Sequence, residues 1–244
     1  MRFLSFVFTL FCLFFCGGCD LRLKSGTTSI VIVGMEQSAK FGKCEGCGHD
    51  VATMDGILSR YGTPVILQNN EATKSNVIRA LNAASQSDLM IFFYSGHGGS
   101  DRIGNVSEEP DRKNEYLCLY DTYMLDNEIW SIVTKAKGRV VLIFDCCHSE
   151  TMFRSPGITF DVIQRDAEMI RSAGDINMLC WSGCPDDNYS YGGANGGILT
   201  NAIRDSYKRY RSYNTVWKEI QKRASSQNPR KTQIGKGFNV EVFK

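Results

Sequence analysis

No dense run of lysine and arginine occurs before the C-terminal region, and 28 basic residues against 26 acidic ones leave a formal net charge of +2. That near-neutral balance argues against broad nucleic-acid binding, which depends on neutralising many phosphates. The mildly basic stretch from Lys208 to Lys231 reads as a solvated helix face. There is no internal repeat. The apolar stretch Phe3 to Phe15 falls well short of the ~20 residues a spanning helix needs. The C-x-x-C segment Cys44-Glu45-Gly46-Cys47 has no second such pair and no suitably spaced histidine pair after it, which argues against a zinc site. Nor does it read as opening a helix directly after a strand, as a thioredoxin-like redox pair would. A local disulfide or two free thiols is the reading left.

At 244 residues, 43% of them hydrophobic, the chain allows one domain or two small ones with a sizeable core. Met1-Arg2, the apolar stretch and then Cys16-Gly17-Gly18-Cys19 read as a secretory signal over residues 1–19. Gly18-Cys19 looks like the end of a bacterial lipobox, with Cys19 as the lipidated residue, although Cys16 stands where an aliphatic residue is usual. A plainly cleaved signal and an uncleaved anchor are the other two readings. The expectation is an exported protein of a bacterial cell envelope, with membrane attachment through Cys19 as one option. Of the ten cysteines, seven lie beyond this leader, and an odd number leaves at least one thiol for chemistry if the others pair.

From Ser25 to Lys244 the pattern alternates between strands and helices. Strands are expected at 28–33, 64–67, 89–93, 140–144 and 176–181, with a hairpin strand at 116–120 and a last strand at 238–243. Helices are expected from Cys47 or Gly48 to Arg60, and over 70–84 (capped by Thr73 or Asn70), 126–136 (capped by Asp126 and closed by Gly138), 161–172, 198–210 and 215–226. Such alternation predicts an α/β fold with a mostly parallel sheet and helices on both faces.

Two motifs follow buried-looking strands directly. Tyr94-Ser95-Gly96-His97-Gly98 comes after Leu89 to Phe93, and Asp145-Cys146-Cys147-His148-Ser149 after Val140 to Phe144. Residues just past the carboxyl ends of parallel strands line the ligand crevice. A histidine and a cysteine delivered there can form a nucleophile–base pair: the imidazole takes the thiol proton and later protonates the leaving amine. His97 is the candidate base. Backbone N–H groups of Gly98 and the nucleophile are candidates for an oxyanion hole. Taken singly, either motif reads as ordinary packing; jointly they point to cysteine-dependent hydrolysis.

These two motifs resemble the histidine and cysteine motifs of metacaspases, and the 50 positions between His97 and Cys147 fit the ~50 typical of caspases. The resemblance extends to Cys47-Gly48-His49-Asp50-Val51, Asp126-Asn127-Glu128-Ile129, Ser182-Gly183-Cys184-Pro185-Asp186-Asp187, Gly197-Ile198-Leu199-Thr200 and Gln227-Asn228-Pro229. It implies a caspase-like three-layer sandwich around a mostly parallel six-stranded sheet. A large-subunit-like part would span about 25–155 and a small-subunit-like part about 174–244. It makes Cys147 rather than Cys146 the nucleophile and gives His148 a supporting role, with His148 as base the second choice. It places Asp50, Ser95 and Asp145 in the S1 pocket. Two carboxylates there would select protein or peptide substrates with Arg or Lys at P1. An N-cap for Asp50 and a strand-end acceptor for Asp145 are the alternative roles.

The family usually has glycine after Ser149, where this chain has Glu150. Many metacaspases are activated by calcium, and no other cofactor is implied. Asp111, Asp121 and Asp126 are the candidate ligands, but Asn127 and Arg154 lower the acidity such a site wants. Arg154, Arg165 and Arg171 lie between the two halves and make self-cleavage an expectation. The resemblance favours a monomer. A clostripain- or legumain-like peptidase of the same clan, or a silent pseudo-peptidase serving as an interaction module, are the alternatives.

Overall fold

Strand β5 (Leu89–Ser95) is buried at every residue and sends its side chains alternately to two different cores. Met90, Phe92 and Tyr94 enter one apolar cluster, and Leu89, Ile91 and Phe93 the other. This period of two is the elementary property of a strand. A strand apolar on both faces needs cover on both.

In the computed structural model, the residues described are 26–101, 114–146, 176–183, 192–208 and 211–244. They form β1 (Thr28–Gly34), the small hairpin β2 (Gln37–Ser38) and β3 (Gly42–Lys43), α1 (Cys47–Leu58), β4 (Val65–Gln68), α2 (Lys74–Ala84) and β5. There follow β6 (Gly98–Asp101), β7 (Asn114–Cys118), β8 (Tyr123–Leu125), α3 (Asp126–Val133) and β9 (Arg139–Asp145). The remainder comprises β10 (Met178–Ser182), β11 (Gly192–Gly193), β12 (Gly196–Gly197), α4 (Ile198–Ser206), α5 (Tyr213–Arg223) and β13 (Arg230–Ile234).

The central sheet has six strands in the order β13-β10-β9-β5-β1-β4. All neighbours run parallel except β13, which is antiparallel to β10. Helices α2 and α3 supply Val77, Leu81, Ile129 and Val133 to one cluster. Helices α1, α4 and α5 supply Met54, Leu58, Leu199, Ile203, Val216 and Trp217 to the other. The expected three-layer α/β sandwich is therefore the fold observed. The chain reverses direction across the sheet between β1 and β5, and at such a switch point the strand carboxyl ends open a crevice.

Three local expectations are corrected. No strand runs over 238–243: the last strand is β13, and Phe238, Val242 and Phe243 instead plug the α5-side core among Trp181, Tyr213 and Trp217. An apolar run at a chain end fits a core plug as readily as a strand. Residue Leu125, not Asp126, is the N-cap of α3; its N–H is taken by Glu128 Oε2 at 2.9 Å, while Asp126 Oδ1 accepts from the Asn127 N–H. Helix α3 ends at Val133 rather than at 136, and Gly138 instead lies where a side chain would strike the Asp88 backbone. The expected helix over 161–172 lies outside the described residues. Among those residues no helix is long and apolar enough to cross a membrane.

Candidate active site

Alternation along the two central strands decides what meets at their ends. Ser95 follows Ile91 and Phe93 on the α1 face, and Asp145 follows Val141 and Ile143 on that same face. The two residues are register partners, with Gly34 beside Ser95 and Ser182 beside Phe144. Helix α1 brings Asp50 over them from its first turn, and α4 arrives with Gly197 and Thr200 at its N-terminus.

The result is a buried acidic cradle. Ser95 Oγ donates to Asp50 Oδ2 at 2.7 Å, and the Gly197 N–H donates to Asp50 Oδ1 at 2.9 Å. Thr200 donates twice to Asp145 Oδ2, through its N–H and its hydroxyl, each at 2.8 Å. These N–H groups are among the unpaired donors of a helix N-terminus, where the helix dipole also favours negative charge. Asp50 and Asp145 are 2% and 5% exposed. Burial, followed by the charge of Asp145, pushes the Asp50 carboxyl up to about 7 against the pull of its hydrogen bonds. The close approach explains two glycines. At Gly196, φ is +87° and a Cβ would run into the Asp50 carboxylate; at Gly197 it would run into that of Asp145.

Tyr94 points to the opposite face and does a different job. Its hydroxyl lies 2.7 Å from the His97 carbonyl oxygen and 2.8 Å from that of Cys118. The Cys118 N–H also donates to the His97 oxygen, at 3.0 Å. The backbone of His97 is thus pinned while its ring stays half-exposed. The ring Nε2 lies 3.0 Å from the carbonyl oxygen of Lys43. A carbonyl can only accept, so in the neutral ring Nε2 carries the proton and Nδ1 is left to exchange one. Because Cys118 bonds to His97, the Gly98–Leu117 pair is a non-hydrogen-bonded one, and the Gly98 N–H faces away from β7.

Cys146, one residue beyond β9, is 1% exposed within the α2/α3-side core. Cys147 and His148 lie outside the described residues, as do Cys19, Asp111, Cys184, Glu150, Arg154, Arg165 and Arg171. Of the other candidate calcium ligands, Asp121 Oδ1 accepts from the Lys74 N–H at 2.9 Å beside Thr73, the N-cap of α2, and Asp126 starts α3. Among the described residues no group of three or more metal-ligating side chains gathers. Asp50, Ser95 and Asp145 come together. The contributions of Thr200, Tyr94 and the Lys43 carbonyl were not anticipated. The pair Gly196-Gly197 ahead of a helix was the available signal for the first of these, since paired glycines mark close backbone approach.

A model of the caspase domain, peptidase family C14, matches residues 29–238. The chain belongs to the caspase family. Within this family of cysteine peptidases it is similar to metacaspases. It is 28% identical to metacaspase-3 of Trypanosoma cruzi over 68% of this chain and 54% of the relative. It is 28% identical to metacaspase-1 of Ajellomyces capsulatus, over 62% and 48%. Inactive metacaspase-4 of Trypanosoma brucei brucei is 26% identical over 74% and 60%. The chain thus spans roughly half the length of these curated relatives. Among solved structures, a Geobacter sulfurreducens protein superposes with a TM-score of 0.68 at 25% identity, covering 89% of this chain and 99% of its own. Caspase-1 of Spodoptera frugiperda gives 0.60 at 13% identity over 84% and 86%, a caspase fold in common.

Proposed function

We propose that this caspase-family chain is a cysteine endopeptidase that cuts after Arg or Lys, with Cys147 as nucleophile and His97 as base. One observation carries this reading: Ser95 and Asp145 are register partners on adjacent parallel strands, and His97 and Cys147 each follow their partner by two residues. Burial of Cys146 in the core leaves Cys147 as the cysteine of the pair for chemistry.

In the proposed mechanism His97 Nδ1 accepts the Cys147 thiol proton as sulfur attacks the scissile carbonyl carbon. The N–H groups of Gly98 and Cys147 receive the oxyanion. The imidazolium then protonates the leaving amine, and the acyl-enzyme is hydrolysed by water activated at the same ring. The Lys43 carbonyl holds the tautomer that makes Nδ1 available. Asp50 and Asp145 take the P1 guanidinium or ammonium. An arriving cation lowers the cost of ionising both carboxylates, whereas an aspartate at P1 would raise it.

The test is hydrolysis of fluorogenic peptides with Arg, Lys or Asp at P1, by the wild type and by Cys147→Ala, with and without calcium. Cleavage of the basic substrates by the wild type alone is expected. Silence on every substrate would move the assignment to a pseudo-peptidase, a state for which the inactive Trypanosoma brucei relative is a precedent by name. Cleavage after Asp would overturn the pocket assignment. The calcium arm tests the activator reading, and intact chain length during prolonged incubation of active enzyme would count against self-cleavage at Arg154, Arg165 or Arg171.

A further inference from the structure

The C-x-x-C pair is a sequence motif that the proposed reaction leaves unused. Both Cys44 and Cys47 are free thiols, on either side of the turn that leads into α1. Cys47 is the first residue of α1 and is 2% exposed, whereas Cys44 is half-buried and reachable. Gly46 between them has φ +91°, a left-handed turn that folds Cys44 back toward the helix start. Glu36 fixes both sides of this turn: its carbonyl accepts the Cys44 N–H at 2.8 Å, and its carboxylate accepts the Gly48 N–H at 3.0 Å.

The location matters more than the pair itself. Cys44 directly follows Lys43, whose carbonyl holds His97 Nε2. Cys47 neighbours the Ser95 hydroxyl, which holds Asp50. The dithiol therefore sits between the group that orients the imidazole and the group that orients the acidic cradle.

We propose that Cys44 and Cys47 form a reversible disulfide that releases His97 from the Lys43 carbonyl and so switches the enzyme off. The gating half rests on the peptidase reading above; formation of the disulfide does not. The oxidant is a low-molecular-weight disulfide. The Cys44 thiolate attacks one of its sulfurs and expels one small thiol. Cys47, losing its proton, then attacks the Cys44 sulfur of the mixed disulfide and expels the second. Two protein thiols become one disulfide, and one small disulfide becomes two thiols. The Cys47 thiol lowers the Cys44 thiol below its ordinary value, which suits the attacking role, while Cys47 is raised and suits the resolving one. Closing the bond brings the sulfurs to about 2.0 Å. Cys44 adjoins Lys43, so closure is transmitted to the Lys43 carbonyl that holds the imidazole.

The experiment uses the full chain carrying Cys147→Ala, so that the nucleophile cannot react, equilibrated in reduced and oxidised glutathione buffers. Acid quenching, alkylation and mass analysis of the peptide holding residues 44–47 should show an unalkylated form, about 2 Da lighter than the unmodified dithiol, whose share titrates with potential. In the same samples the His97 15N resonances should lose the hydrogen-bonded Nε2–H signature as the disulfide forms. Two alkylatable thiols in the most oxidising buffer, or glutathione retained on either cysteine, would overturn the disulfide. A disulfide with unchanged His97 resonances would overturn the gate, and neither readout depends on peptidase activity. In the wild type, activity should fall at least tenfold along the same curve and return on reduction, while Cys44→Ser stays active in both buffers. Parallel loss in both proteins would assign the effect to Cys147 and contradict the proposal.

Discussion

The acidic cradle and the histidine turn grow from the same strand, yet they are held in different ways. Ser95 faces α1 and joins two buried carboxylates that are gripped by hydroxyl and N–H donors of α4 and β5. Tyr94, one residue earlier, faces α2 and α3 and pins the backbone of His97, leaving the ring half-exposed and, among the described residues, held through the Lys43 carbonyl. The cradle is over-determined by regular elements. The turn is positioned by its backbone and flanked by Gly96 and Gly98. In the proposed enzyme, recognition of a cation thus rests on rigid helix and strand ends, whereas the group that must exchange protons keeps room to move. Fixed dipoles suit a charge that is present throughout binding, and a proton shuttle needs access to both thiol and leaving amine.

This contrast orders the expected effects of mutation. His97→Ala removes proton transfer itself, and kcat/KM on a P1-Arg peptide should fall by about 10²–10⁴ with KM little changed. Asp145→Asn weakens the cradle instead. It should cost about 10²–10³ in kcat/KM for P1-Arg, mostly through KM, because a buried cation would lose its charged partner. Equal losses in kcat and KM for both variants would erase the distinction between turn and cradle. Thr200→Val keeps the backbone N–H to Asp145 and deletes only the hydroxyl, so a loss of roughly tenfold is expected.

The pH dependence sharpens the cradle further. Asp50 is pushed up to about 7, so at lower pH the free enzyme holds a proton that an arriving guanidinium must displace. The ratio of kcat/KM for P1-Arg over its neutral isostere P1-citrulline should therefore rise with pH through about 7, while groups common to both substrates cancel. The same group affects stability in the opposite sense. Its folded pKa lies above the ordinary 3.8, so the folded state binds more protons across that window, and stability falls as pH rises from about 4 to 7. Asp50→Asn removes the penalty. Its melting temperature should exceed that of the wild type by ~2–4 °C at pH 8, for about 1 kcal/mol, and by less at pH 4. A flat difference across pH would show that Asp50 carries no such strain.

Much of this organisation was legible in the sequence because it depends on local patterns. Continuous apolar runs such as Leu89 to Phe93 announce strands buried on both faces, and alternation then assigns Ser95 and Asp145 to one side. Asp50 entered through its family motif, and its place in the first turn of α1 agrees. What stayed hidden is long-range. Thr200 lies 55 residues from Asp145, and nothing local links them. The Lys43 carbonyl is a backbone group, which sequence cannot flag. The plug formed by Phe238, Val242 and Phe243 was misread because a short apolar run has no signature that separates a strand from a core stopper. In the sequence the C-x-x-C pair does not read as opening a helix directly after a strand, which argues against a thioredoxin-like role. The structure supplies only the two-residue β3, but it places Cys47 at the start of α1.

The central claim is that the paired carboxylates read a positive charge at P1. Its most direct measurement is kcat/KM for P1-Arg and P1-citrulline peptides in the wild type and in Asp145→Asn, at pH 8. The account predicts a preference for Arg of about 10²–10³ in the wild type, reduced at least tenfold in the variant. An Arg preference that survives Asp145→Asn unchanged, or a wild type indifferent between the two substrates, would contradict it.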